Sequence, residues 1–302
     1  MNRREFAQGI AASLGAAAWP FARAASPHNL KIGFTCITWG CFPGKEPGSQ
    51  ALEAAVRDIS GLGFHSFETF PEILDYWDAK GALQKLIDQY QLPLKSGYFT
   101  TVLLDASKRK ESVDRVIKLG KTVTKYGGTF GVIQPESVKR DGYNYKEYRA
   151  NIIAGLNDHA QALTDLGLAA GLHQHTGTCI ETHDEVYDVM NSANTKYLKF
   201  APDVGQLQRG GSDPVQVCKD FLPILKHMHL KDFASGEQRS GYVPLGMGKV
   251  DIPAILDMVE AGGQQPDVMV ELDYSPRLGM TPLETAQVSK VYLLKMGYKF
   301  RS

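Results

Sequence analysis

The chain has 302 residues, 43% of them hydrophobic and 22% charged, with a formal net charge of zero. That composition suits a folded protein with one large core or two smaller ones, and it excludes a disordered polyelectrolyte. No basic excess points to nucleic acid, and no block of one sign points to a charged tail.

The first residues, "MNRREFAQGIAASLGAAAWPFARAAS", differ from the rest. Arg3 and Arg4 precede Phe6 and a mild run of Ala, Gly and Leu, and Ala22-Arg23-Ala24 has the small-x-small form of a cleavage site. The run is too short and too mild for stable membrane insertion. The paired arginines look like a twin-arginine export signal. The expected organisation is therefore a signal segment over 1–24, then one folded domain over 27–302, in a periplasmic or otherwise exported protein. The alternative is a helical or unstructured N-terminal arm. Removing the segment takes Arg3, Arg4, Arg23 and Glu5 with it, leaving 30 basic and 32 acidic residues and a net charge of −2. Four cysteines are too few for a disulfide scaffold in a chain this long. Cys36 and Cys41 are close enough in sequence to pair in an oxidising compartment.

Beyond residue 26 one pattern recurs: a short apolar run, a loop, an amphipathic helix. The runs are "LKIGFTCITW", "GFHSFETF", "PLKSGYFT", "GTFGVIQP", "LGLAAGLHQH", "YLKFAPDVG", "LKHMHLKDF" and "DVMVELDYS". Between them, "SQALEAAVRDISGLG", "KESVDRVIKLGKTVTKYGG" and "YRANIIAGLNDHAQALTDLG" place apolar residues at three- and four-residue spacing and end at glycine. Eight strand–helix units predict an α/β fold, a (β/α)8 TIM barrel. A doubly wound open sheet is the alternative, but it should carry a G-x-G-x-x-G turn after an early strand, and none occurs.

Barrel active sites lie at the C-terminal ends of the strands, and alternate strand residues point the same way. In the fifth run Leu168, Ala170 and Leu172 alternate with Gly171, His173 and His175. In the sixth, Leu198 and Phe200 alternate with Ala201 and Asp203. In the seventh, Met228 and Leu230 alternate with His227 and His229; in the eighth, Val268, Val270 and Leu272 alternate with Glu271 and Asp273. If the apolar parity packs on the helices, His173, Asp203, His229 and Glu271 converge on the axis. Unpaired buried carboxylates are costly, and one divalent cation removes that cost. Two imidazoles and two carboxylates suit Mn²⁺ or Zn²⁺ first, with Co²⁺, Fe²⁺ or Mg²⁺ as alternatives. His227 lies one step deeper, as a supporting or core histidine. Asp273 and His175 lie one step nearer solvent.

With these residues placed, the chain resembles the xylose isomerase-like TIM barrels, and within them the sugar phosphate isomerase/epimerase group that includes inosose dehydratases and ketose 3-epimerases. The resemblance covers about residues 30–298. It is carried by "GLHQHTGT", "FAPDVGQ", "HMHLKDF", "YVPLGMGKVDIPAILDMV" and "VMVELDYS". It implies metal ligands from strands five to eight, typically Glu, Asp, His and Glu. The last three map onto Asp203, His229 and Glu271, and the first falls on His173. Inosose dehydratase-like members also carry a His-x-His in this strand. Gln206 stands where many relatives have a histidine.

The resemblance further implies proton abstraction next to a carbonyl of a sugar, keto-sugar or cyclitol. Glu271 is the expected base, or orients it; His175 or a metal-bound water is the expected acid. Lys231 is expected to hold a substrate hydroxyl or an anionic group. Glu68, Trp39, Gln206 and Arg239 are further candidates for contacts with a sugar or polyol; Arg239 lies in a long Gly-rich loop over 234–248. Isomerisation or epimerisation is the first expectation. A lyase that eliminates water or an aglycone from an inosose or 3-keto sugar is the alternative. From other classes come a non-catalytic sugar-binding barrel and a phosphodiesterase of the endonuclease IV kind; the latter needs a basic face that a charge of −2 does not offer. Self-association into a homo-oligomer is left open.

Overall fold

In the structure, a computed structural model, residues 28–44, 46–235, 241–273 and 279–302 are described. The expected export segment over 1–24 and the candidate Arg239 lie outside them. Among the described residues no helix is long and apolar enough to cross a membrane.

The strands in chain order are β1 (Ile32–Thr35), β2 (Phe67–Thr69), β3 (Leu94–Thr100), β4 (Phe130–Gln134), β5 (Ala169–Leu172), β6 (Leu198–Phe200), β7 (His227–Leu230), β8 (Asp232–Phe233), β9 (Tyr242–Val243) and β10 (Asp267–Val270). Eight of them lie in one sheet in the order β6-β5-β4-β3-β2-β1-β10-β7, every pairing parallel. The two end strands meet through parallel bridges from Phe200 to Leu225 and from Asp203 to His229. The sheet thus closes into a (β/α)8 barrel, and two of the candidate ligands lie on its seam. Strands β8 and β9 form a small antiparallel hairpin just above β7.

The expected helices are present over Glu46–Gly61, Arg109–Lys125 and Tyr145–Asp165. The glycines that end two of them, Gly127 and Gly167, have φ of +84° and +85°. Only glycine adopts that left-handed stop without strain.

The parity expected from the sequence holds at the core. Phe34 on β1 packs edge-on against Phe64 on the helical side, while Met269 lies beside Gly33 within the barrel. Phe130 also faces inward, its ring stacked on that of His227 at 4.8 Å. All four cysteines are buried free thiols, Cys36 and Cys41 included.

Candidate metal and catalytic centre

Strand ends carry the site. His173 follows β5, Asp203 follows β6, His229 lies within β7 and Glu271 follows β10; all four are buried. One donor atom each from His173, Asp203 and His229 lie within 4.8 Å of one another. Glu271 Oε2 joins them, 2.9 Å from His229 Nδ1.

Asp203 has two roles because its two oxygens face different ways. Oδ1 caps the short helix Val204–Arg209 by accepting the Gln206 amide at 2.9 Å. Oδ2 turns to the axis, 3.0 Å from Lys231 Nζ. One carboxylate thus caps the helix with one oxygen and leaves the other facing the axis. Gly205 is needed there, because a Cβ on it would lie 2.9 Å from both Lys231 Cγ and the Lys231 carbonyl oxygen.

Lys231 is fully buried. Its ammonium contacts Glu271 Oε1 at 2.6 Å, Asp203 Oδ2 at 3.0 Å and Asp273 Oδ1 at 3.2 Å. Burial opposes its charge, but these carboxylates outweigh burial and raise its pKa well above the ordinary value. Glu271 shows the converse. Burial would raise its carboxyl, yet Lys231 and His229 hold it well below the usual carboxylate range. Asp203 is the exception, because burial outweighs Lys231 and its pKa rises.

Among the buried polar atoms here, His173 Nε2 makes no hydrogen bond, whereas His229 Nδ1 and Nε2 face Glu271 Oε2 at 2.9 Å and Glu68 Oε1 at 2.7 Å, and burial opposes the His229 charge but Glu68 and Glu271 outweigh it and raise its pKa well above the ordinary value. A buried atom like His173 Nε2 costs about 1–3 kcal/mol when left unsatisfied. His173 Nδ1 lies 3.1 Å from the Ala201 carbonyl, so that nitrogen carries the proton and Nε2 keeps a free lone pair towards the site. Burial, with His229 beside it, lowers the His173 pKa well below the ordinary value and favours that neutral form. His173 Nε2, Asp203 Oδ2 and a ring nitrogen of His229, once that ring gives up its extra proton, form a donor set that fits a divalent ion of the zinc or manganese kind.

The remaining candidates fall into two groups. Glu68, Gln206 and His175 come to the centre, in roles more internal than sugar binding. Glu68 lies beneath Glu271, with Oε1 2.7 Å from His229 Nε2 and Oε2 3.0 Å from His227 Nε2. His175 has both nitrogens engaged: Nδ1 is 2.7 Å from the Thr176 carbonyl, and Nε2 is 2.7 Å from the Gln206 amide nitrogen. Gln206 is the hub of that network, since its Oε1 accepts from Thr176 Oγ1 at 2.6 Å and from the Tyr242 hydroxyl. Trp39 goes elsewhere. Its ring packs edge-on against Phe34, and its Nε1 donates to Asp58 Oδ2 at 2.9 Å, on the helical side of β1. A stacking wall for a sugar ring is not its position.

Three residues join the centre that the sequence reading passed over. Tyr98 on β3 stacks on His229 at 6.0 Å and meets His173 edge-on at 5.2 Å. Burial pushes its phenol well above the ordinary pKa. Its parity in "LKSGYFT" was the available signal. Tyr242 on β9 lies beneath Lys231, whose Nζ is 4.8 Å from the ring centroid. Asp232 anchors the loop after β7, its carboxylate accepting the backbone amides of Phe233, Gly246, Gly248 and Val250 at 2.8–3.1 Å. A narrow cleft bordered by Ile37, Phe70, Tyr98, Glu68 and Glu271 opens onto the centre.

A closed parallel barrel with ionisable donors gathered at the C-terminal ends of its strands has the architecture of a TIM-barrel enzyme centre. Comparison with known proteins narrows the class. The chain belongs to the Xylose isomerase-like TIM barrel family, which residues 56–291 match. Inosose dehydratase of Clostridium botulinum is 26% identical to it over 297 residues, covering 88% of this chain and 96% of the relative. Among solved structures, the IOLI protein with a bound zinc atom superposes with a TM-score of 0.72 at 17% identity, covering 90% of this chain and 100% of that one. The apo 3-keto-D-glucoside 4-epimerase YcjR from E. coli gives a TM-score of 0.67 at 16% identity, covering 89% and 99%.

Proposed function

We propose that this chain is a metal-dependent enzyme that removes the proton next to a carbonyl of a sugar, keto-sugar or cyclitol. The observation that carries this is the buried Lys231–Glu271 pair, 2.6 Å apart, beside donor atoms of His173, Asp203 and His229 that lie within 4.8 Å of one another. The names of the relatives, an inosose dehydratase and a 3-keto-glucoside epimerase, support the substrate class. A divalent ion held by His173, Asp203 and His229 would supply Lewis acidity towards the carbonyl oxygen; the zinc in IOLI supports that choice of metal.

The chain's own groups divide the rest. Lys231 and His229 keep Glu271 ionised, the state in which Oε1 or Oε2 accepts a carbon-bound proton. Lys231 Nζ, held by Glu271, Asp203 and Asp273, fixes the orientation of that carboxylate. Tyr98, Phe70 and Ile37 narrow the cleft and limit water at the reacting carbon. Gln206 holds His175 as the neutral ring, so His175 shapes the mouth of the cleft.

Isomerisation or epimerisation and β-elimination share this first step. One observation favours elimination of water. Epimerisation by two opposed carboxylates needs a second free acid, but His173 stands in that place and Glu68 is committed to two imidazoles. The test is incubation of the Mn²⁺- or Zn²⁺-loaded protein in D₂O with an inosose and with a 3-keto-glucoside. Deuterium uptake next to the carbonyl is the expected result, with ultraviolet absorbance of an unsaturated product marking elimination. A loaded, folded protein that exchanges no proton of either compound class overturns the proposal.

Arg3-Arg4 and the Ala22-Arg23-Ala24 site support export, which in turn favours unphosphorylated substrates. N-terminal sequencing of the chain from a periplasmic fraction should start at Ala25. A chain retained whole in the cytoplasm removes that part of the proposal.

A further inference from the structure

We infer that Thr38 is a positioning residue for Glu271, acting through the backbone of Leu272. The inference rests on Glu271 as the base of the proposed reaction. Glu271 lies one residue beyond the end of β10. Towards β7 its amide still donates to the Leu230 carbonyl, at 3.0 Å. Towards β1 the ladder stops earlier, at the pairing of Phe34 with Val270. There β1 ends at Thr35, and the chain turns off into the 3₁₀ segment Cys36–Trp39. That departure takes the β1 backbone away from Leu272, which is buried. Unpaired peptide groups in a closed interior are costly. The Thr38 hydroxyl stands in for the departed strand. It donates to the Leu272 carbonyl at 2.7 Å and accepts the Leu272 amide at 3.3 Å.

The turn that bears Thr38 is itself anchored. A 3₁₀ segment has about three residues per turn, so successive side chains diverge by about 120°. Ile37 borders the cleft, and Thr38 reaches Leu272. Trp39 donates from Nε1 to Asp58 Oδ2 at 2.9 Å, on the helix Glu46–Gly61, and packs edge-on against Phe34 at 5.4 Å. Gly40 closes the turn, its amide donating to the Ile37 carbonyl at 2.9 Å. Trp39 lies off the cleft, yet it fastens the turn that holds the base. Threonine suits the clamp because its branched Cβ restricts the rotamers open to the hydroxyl.

The consequence is geometric. The Glu271 carboxylate meets Lys231 Nζ at 2.6 Å and His229 Nδ1 at 2.9 Å. Leu230, Lys231 and His229 all belong to β7 or its end, so they fix Glu271 relative to one strand. Thr38 adds a hold from the other side, from a residue 234 positions away in the chain. Proton transfer from carbon is sensitive to such placement, and a shift of about 1 Å can cost about 100-fold in rate. Loss of the clamp should therefore lower turnover and leave substrate affinity nearly unchanged.

The test pairs Thr38→Val, which keeps the side-chain shape and removes the hydroxyl, with Thr38→Ser, which keeps the hydroxyl. In the Mn²⁺-loaded protein, kcat for deuterium exchange into an inosose should fall about 100-fold in Thr38→Val, with KM within about twofold. Thr38→Ser should recover most of that loss. Equal losses in the two variants mark a packing role and overturn the inference, as does wild-type kcat in Thr38→Val. If Thr38→Val does not fold, Thr38→Ala takes its place. Crystal structures of both variants give a readout free of activity. The Glu271 carboxylate should shift by more than about 0.5 Å in Thr38→Val and return in Thr38→Ser. If the wild type exchanges no proton of an inosose or a 3-keto-glucoside, the proposed function fails, and these structures alone decide whether Thr38 places Glu271. A carboxylate that stays at its wild-type position in Thr38→Val overturns the inference.

Discussion

Lys231 Nζ lies between Asp203 Oδ2, at 3.0 Å, and Glu271 Oε1, at 2.6 Å, with all three side chains withdrawn from solvent. Without a metal, that ammonium is the charge that lets two acids share one small volume. Removing one partner of a buried ion pair costs about 3–5 kcal/mol. Lys231→Met should therefore lower the unfolding free energy by that order in chelator, as read by urea denaturation, and loading with a divalent ion should restore part of it. A loss under about 1 kcal/mol would show that the ammonium is not the principal counter-charge.

Glu271→Gln keeps the shape of the side chain and removes its basicity. Solvent deuterium exchange into a true substrate should fall by about 10²–10⁴-fold, with the far-ultraviolet spectrum unchanged. Exchange at the wild-type rate would move the base elsewhere.

A ligand that binds only the folded chain stabilises it by about 2.7 kcal/mol at a hundred times its dissociation constant. Saturating Mn²⁺ or Zn²⁺ should raise the melting temperature, and the rise should shrink in His173→Ala and in Asp203→Ala. Equal melting curves with and without the ion would contradict a metal at this centre.

His159, far from the strand ends, offers a test of acid stability. It is buried between Ser112 Oγ, 2.8 Å from Nε2, and the Gly155 carbonyl, 2.6 Å from Nδ1, and burial lowers its pKa from the ordinary 6.5. Between that lowered value and 6.5 the unfolded chain binds the proton and the folded chain does not. Stability from this group is thus present above pH 6.5 and lost as pH falls below it. Unfolding measured in chelator should show a shallower acid limb in His159→Gln than in the wild type. Superimposable limbs would rule out the linkage.

Gly205→Ala would put a methyl group 2.9 Å from Lys231 Cγ and from the Lys231 carbonyl oxygen. Overpacking of this kind costs about 1–3 kcal/mol. Because the displaced group is Lys231, turnover should fall more than substrate affinity. A variant with wild-type turnover would show that the Lys231 stem tolerates displacement.

The barrel and the ring of His173, Asp203, His229 and Glu271 could be read in the sequence because strand side chains repeat every two residues. Four consecutive runs placed an ionisable residue on the same parity at their ends. The same rule would have found Ser96 and Tyr98 in "LKSGYFT", but neither carries a charge to draw attention. The rule does not reach Trp39, since β1 ends at Thr35 and a 3₁₀ turn over Cys36–Trp39, stopped by Gly40 at φ +84°, takes the indole off the strand register. The hydrogen bond from Tyr242 to Gln206 joins a hairpin to the short helix after β6 across 36 residues, and no local pattern encodes it. Gln206 itself was visible only as a departure from relatives. Its task, holding His175 through an amide nitrogen, needed coordinates.

The four backbone amides collected by Asp232 make the segment after β7 a replaceable cassette. The flanks of this segment are tied together by the hairpin pairing of Phe233 with Tyr242 and by the Ala234 amide donating to the Gly241 carbonyl, and the chain beyond it is held by the Asp232 carboxylate. Residues exchanged or inserted between those ends leave the strand that carries His229 and Lys231 where it is. Changes of sequence in that short piece of chain are therefore mechanically separated from the charged groups beneath it.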